Sequence, residues 1–396
     1  MTAATLTAAT LTAATPTTAT PSAATTAAEQ TPDLRIVRSG RLASLDLLRF
    51  VAALAVVGFH FTAFRGDGGS AWSPDPSVRT VDLFPVVSEV TRYGFLGVDA
   101  FFLISGFVIC MSVWGRTPGE FFASRAARLY PAFWAAVLLT TTVCTLWPVV
   151  RGALSPRSVL VNLTMLAEPL GVDLVDGVYW TLFVELRFYL VLAVLAVVGI
   201  TYRRVLGLCL GWTLVSVFGT ALGQDSPAVR HAVDLLVMPQ WSPYFIGGMA
   251  LYLVYRAGSN LVVWGVVAVS WVLALQHRFE TLGGQWAHLH VRLSHTVVVC
   301  VVTAAFAVVA AIALGLTGRL DLPWFTTLGT LTYPLYLVHE YIGWTIAYAL
   351  RDPLGRWLAV LLATAAVLLL AWLVHRWVER PCGPRLRRAL VRALPR

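Results

Sequence analysis

The chain has 396 residues, 58% of them hydrophobic and only 12% charged, with a mean hydropathy of +0.74. A soluble domain cannot hide that much apolar surface, so most of the chain must meet lipid in a polytopic membrane protein. The net charge of +9 comes from 29 basic residues against 20 acidic ones, and every basic residue is an arginine; their place at the ends of apolar runs follows the positive-inside rule, not a nucleic-acid surface.

Residues 1–34 repeat TAAT followed by Leu or Pro and lack the large apolar groups that would offset the entropy of ordering. They read as a disordered Ala/Thr-rich leader, and without a basic segment ahead of an apolar one they do not read as a signal peptide. Residues 35–384 form a membrane domain. Apolar runs of spanning length fall at about 45–64, 94–114, 131–150, 179–199, 204–223, 236–255, 260–276, 296–317, 325–349 and 357–378, which predicts an all-α bundle of about ten transmembrane helices. Runs of this length without period-two alternation exclude a barrel. The arginine distribution, with Arg116, Arg125, Arg128, Arg203, Arg204, Arg256, Arg319 and Arg380 on one side, places both termini in the cytoplasm. Residues 385–396, RLRRALVRALPR, read as a basic cytoplasmic tail that fixes topology and binds anionic lipid.

The first span, SLDLLRFVAALAVVGFHF, carries Asp46, Arg49 and His60. Ionisable groups in a span cost about 2.5–3.5 kcal/mol each on insertion scales and therefore face a protein interior or a wet cavity. At about 100° per residue the three share one helix face, and a rise of about 1.5 Å per residue separates Arg49 from His60 by about 16 Å. They cannot touch. A guanidinium near the inner surface suits phosphate, and an imidazole deeper in suits proton abstraction from a hydroxyl. The plainer alternative is an Arg49 that snorkels to the interface and a His60 satisfied by a neighbouring helix. Asp46 is expected to pair with Arg49 one turn away.

In YGFLGVDAFFLISGFVICM, Gly94, Gly97 and Gly106 allow close helix approach, with Asp99 and Ser105 as polar groups at the contact. In FFASRAARLYPAFW, Arg125 and Arg128 share a face just ahead of a span that starts at Pro131; they can clamp a phosphorylated donor or serve as positive-inside anchors. YWTLFVELRFYL puts Glu185 mid-span with Arg187 on another face, so Glu185 needs a partner from a different helix. LTYPLYLVHEYIG places His339 beside Glu340 without the second histidine of a zinc motif. Cys110, Cys144, Cys209, Cys300 and Cys382 have no metal or disulfide spacing, and the first four read as small buried hydrophobes.

Taken in order, these blocks resemble the membrane acyltransferases of acyltransferase family 3. RLASLDLLRFVAALAVVGFHF is similar to the family's first-span Arg-x10-His block, GFLGVDAFFLISGFVI to its GVDxFFxxSGF block, and FFASRAARLYPAFW to its RxxR followed by Tyr-Pro. YWTLFVELRFY, YPLYLVH and VERP are similar to later blocks, and the resemblance spans about residues 41–384. It implies O-acylation of a sugar-containing acceptor, with acyl-CoA (acetyl-CoA or a short branched acyl-CoA) as co-substrate and no bound cofactor or metal. It implies catalytic roles for His60 and Arg49, with Glu185 or Asp99 expected to orient or charge-balance the imidazole. Arg125 and Arg128 are implied on the donor side, and Ser105, Tyr336 and His339 are expected to face substrate. The acceptor expected is a macrolide antibiotic or another glycosylated metabolite, with a cell-surface polysaccharide, peptidoglycan or glycolipid as the alternative, and the expected location is a bacterial cell membrane. A transporter or flippase would also explain buried charges in ten spans, but it predicts an inverted repeat that the sequence does not show.

Overall fold

The computed structural model describes residues 42–65, 72–73, 78–289, 291–318 and 322–393. The predicted leader, with Arg35, Arg38 and Arg41, lies outside the described residues. The regular elements among the described residues are helices: α1 Ala43–Thr62, α2 Thr80–Leu83, α3 Ser88–Thr91, α4 Gly97–Val113, α5 Pro118–Leu146, α6 Pro156–Asn162, α7 Trp180–Val198 and α8 Tyr202–Leu222. There follow α9 Pro227–Leu236, α10 Ser242–Ala257, α11 Leu261–Leu289, α12 His295–Ala313, α13 Pro323–Val338, α14 Tyr341–Leu354, α15 Arg356–Val374 and α16 Arg380–Ala393. Eight of the helical stretches are long and apolar enough to cross a membrane, so this is a multi-pass membrane protein.

The bundle is organised around α4, apolar on nearly every face and buried on nearly every face, as a helix must be when it packs on all sides. Glycines make that possible. A Cβ on Gly97 would lie 2.6 Å from the Ala52 carbonyl oxygen of α1, and one on Gly248 of α10 would lie 2.1 Å from the Leu103 carbonyl oxygen. Backbone therefore meets backbone at both crossings, as the small residues of this block predict.

The two predicted spans missing from the eight have physical reasons. Helix α10 has only 16 residues but is buried in protein from Ser242 to Val254, so its length need not match a bilayer. The predicted helix at 325–349 is broken: α13 stops at Val338, and α14 starts at Tyr341 after a turn at His339 and Glu340. Other boundaries move as well. Helix α5 starts at Pro118, where Thr117 and Glu120 form a capping box, and Pro131 lies inside the helix, not at its start. Helix α11 runs on to Leu289, well past the predicted end. Residues 385–393 of the expected basic tail belong to helix α16, which packs on α5 through Gly383 near the Ala127 carbonyl; residues 394–396 lie outside the described residues. Cys110, Cys144 and Cys209 are buried as expected, whereas Cys300 is exposed on α12.

Candidate active site

Helix α1 delivers His60 at its C-terminal end, where the last carbonyls need donors from elsewhere. Trp344 Nε1 donates to the His60 carbonyl at 2.8 Å, and Trp72 Nε1 donates to the Phe61 carbonyl at 2.7 Å. These two indoles hold the end of α1 in place. The break after α13 then brings His339, which is fully buried, against the His60 ring.

The contacts fix where the ring hydrogens sit. His339 Nδ1 lies 2.8 Å from the Tyr336 carbonyl oxygen, and His60 Nδ1 lies 3.0 Å from the Val56 carbonyl oxygen. A carbonyl only accepts, so both Nδ1 atoms carry hydrogen. The 3.1 Å contact between His339 Nε2 and His60 Nδ1 is then a bond donated by His60. His60 Nε2 is left with a lone pair. It lies 3.9 Å from Glu340 Oε1, too far for a direct hydrogen bond, with room for a bridging oxygen. Glu340 Oε2 is buried without a hydrogen-bond partner. Asp176, buried beside it, accepts from the backbone N–H groups of Val178 and Tyr341.

His60 Nε2 faces a chamber of about 470 Å³ whose wall includes Trp180, Trp241, Gln240, Arg278, Tyr336 and Glu340. A second, narrow chamber of about 50 Å³ holds Arg49, Ser105, Glu185 and Tyr333, and it shares Val98 and Tyr336 with the first. In it Glu185 Oε1 accepts from Ser105 Oγ at 3.2 Å and from Tyr189 OH at 2.8 Å. Tyr336 OH, on the shared wall, accepts from Thr181 Oγ1 at 3.0 Å. Beyond Tyr333 lies a basin of about 890 Å³ lined by Arg125, Arg128 and residues of α16. Arg128 stacks over the Tyr333 ring at 5.7 Å and pairs with Glu379; Arg125 lies over Tyr189 at 6.0 Å.

The predicted residues thus divide among three neighbouring cavities. His60 and Tyr336 line the first, with His339 buried behind the His60 ring; Arg49, Ser105 and Glu185 line the second; Arg125 and Arg128 line the third. Asp99 and Glu185 are not the imidazole's hydrogen-bond partners. Asp99 is 2% exposed and bound by Arg278 of α11, whose Nε donates at 3.1 Å, and by Tyr244 OH at 3.0 Å. Glu185 is occupied by Ser105 and Tyr189 as described. Asp46 packs against Gly329 of α13. Two residues missing from the predicted set are Glu340, noticed in the sequence only as the neighbour of His339, and Arg278, which lies past the predicted end of its span.

Fold and site together define a multi-pass membrane protein with a row of polar cavities inside its helix bundle. The family model described as an acyltransferase domain matches residues 42–376, and the chain belongs to this family, acyltransferase family 3. It is an acyltransferase. It is 26% identical over 378 residues to "Acyltransferase MdmB" of Streptomyces mycarofaciens, covering 86% of this chain and 92% of that one. It is 36% identical over 110 residues to "Exopolysaccharide production protein ExoZ" of Rhizobium meliloti (strain 1021), covering 25% of this chain and 33% of that one. No solved structure matches.

Proposed function

We propose that the protein moves an acyl group from acyl-CoA to a hydroxyl of a sugar-containing acceptor, with His60 as general base. The observation that carries this reading is the row of cavities, from arginine-lined basin through a narrow neck to a chamber with an imidazole lone pair. A basin suits phosphates, a neck suits an extended pantetheine arm, and an aromatic chamber suits the faces of a sugar ring. Arg49 lines the neck at the basin end of α1. With both termini in the cytoplasm, as the arginine distribution favours, the basin opens inward and His60 lies toward the outer half of a bacterial cell membrane.

In the reaction His60 Nε2 takes the acceptor hydroxyl proton as the oxygen attacks the thioester carbonyl carbon. The C–S bond then breaks, and the sulfur leaves with the proton returned by the imidazolium. His339 holds the His60 Nδ1–H throughout, so the tautomer needed for attack is set before substrate arrives. Glu340 is the carboxyl nearest the proton in transit. The family resemblance supports a glycosylated metabolite such as a macrolide as acceptor. The partial likeness to an exopolysaccharide production protein supports a surface polysaccharide as the second reading.

The test uses the full chain in nanodiscs with acetyl-CoA and a panel of glycosides, reading free CoA thiol and the acetyl mass on the sugar. The reading expects thiol release that depends on a glycoside and product heavier by one acetyl group. A wild-type protein that yields neither, but carries a glycoside across proteoliposomes, is a transporter.

A further inference from the structure

The basin at the Arg128 end is built in large part by α16, which lies beyond the residues that the family model matches. Helix α16 contributes Arg380, Arg387, Arg388 and Arg392, at i, i+7, i+8 and i+12, which is one helix face. That face is turned toward Arg125 and Arg128 of α5. The four arginines are exposed, and each of them lines the basin.

Charge in the basin is unbalanced. Six arginines line it with one carboxylate, Glu379, and that carboxylate is already engaged by Arg128 and by His375 Nδ1 at 2.7 Å. Burial and the nearby guanidinium groups of Arg125 and Arg387 push Arg116, in the adjoining loop, below its usual value. A ligand carrying several phosphates offsets this excess of positive charge. The volume of about 890 Å³ lies in the range of cofactor-sized ligands.

We infer that α16 is a wall of the donor site, and that its arginines bind the phosphates of the nucleotide end of acyl-CoA. This rests on the acyl-CoA reading above. The shared chemistry is phosphate, which a lipid headgroup also carries. The nucleotide end is favoured because a 3′-phosphate, at about −1.5 to −2, and a diphosphate together match a concave cluster, whereas a headgroup brings one phosphate to a surface. Arg128 is committed to Glu379, so Arg125 and the arginines of α16 are left to meet the ligand.

The experiment titrates adenosine 3′,5′-bisphosphate into the full chain in phosphatidylcholine nanodiscs by calorimetry. It compares wild type with Arg387→Ala/Arg388→Ala/Arg392→Ala and with Arg385→Ala. Arg385 bonds the Pro381 carbonyl at 3.0 Å and does not line the basin, so it controls for general loss of positive charge. The inference expects the triple variant to bind about tenfold or more weakly, Arg385→Ala to bind like wild type, and the triple variant to raise KM for acetyl-CoA while leaving KM for acetyl-pantetheine unchanged. Equal nucleotide binding by the triple variant and wild type overturns the inference and leaves the acyl-CoA reading intact. So does a triple variant that keeps nucleotide binding but loses preferential retention of phosphatidylglycerol in mixed phosphatidylcholine–phosphatidylglycerol discs. A wild-type protein that binds neither the bisphosphate nor acetyl-CoA overturns both.

Discussion

Replacing His339 with Phe separates chemistry from positioning at the histidine pair. Phe fills most of the fully buried space but cannot accept the hydrogen bond that His60 Nδ1 donates at 3.1 Å. The Val56 carbonyl, at 3.0 Å from the same nitrogen, still holds the required tautomer. The ring thus loses one of two anchors, a net loss of about 1–1.5 kcal/mol for a typical hydrogen bond, or about 5- to 12-fold in kcat. His60→Ala removes the proposed base itself and should cost about 10²- to 10⁴-fold. Both are measured as acetyl-CoA-dependent acyl transfer in nanodiscs, with each variant matched to wild type for folded protein by thermal unfolding. The double variant should be no worse than His60→Ala, because an anchor for an absent ring has nothing left to do. Equal losses in the two single variants, with a multiplied loss in the double, would show that His339 does chemistry of its own and refute the assignment.

Glu340→Gln should lower kcat about tenfold or more at unchanged KM for the donor, since Glu340 faces the lone pair and not the basin; a rise in donor KM alone contradicts its placement. Asp99→Ala strands Arg278 without its buried partner and should destabilise the bundle by about 3–5 kcal/mol, read as a lower unfolding temperature in detergent. An unchanged midpoint there would mean that the pair is not buried as described. Gly248→Ala forces a methyl group against the Leu103 carbonyl and should cost at least about 1–3 kcal/mol; wild-type stability would show that α4 and α10 do not cross at backbone contact.

Helix periodicity alone placed Arg49 and His60 on one face and too far apart to touch, and the structure puts them in two successive cavities. That was legible because a regular helix converts sequence spacing directly into angle and rise. The partners of those residues were harder to read, since they arrive from helices hundreds of positions away. Asp99 looked like a candidate for the imidazole, yet it meets Arg278, hidden in a charged stretch that reads as a loop because α11 outruns its apolar segment. The break at His339 and Glu340 was equally opaque. LTYPLYLVHEYIG is apolar enough to continue as one helix, and the turn is held by contacts from distant elements, the packing of His339 on His60 and the Tyr341 N–H bond to Asp176. The arginines of α16 showed their charge in the sequence but not their direction.

That direction depends on a small irregularity. Between α15 and α16 the chain makes a π turn over His375–Glu379, which holds one residue more than an α turn would. Each residue in a helix carries about 100° of rotation. Were these same residues wound as regular α-helix, the extra residue would carry its own rotation and swing α16 by more than a quarter of a circle. Its composition would be untouched, yet the arginine face would leave the basin. The turn works as a phase setting: what α16 can hold is written in its residues, but whether it faces the ligand is written in the five residues before it.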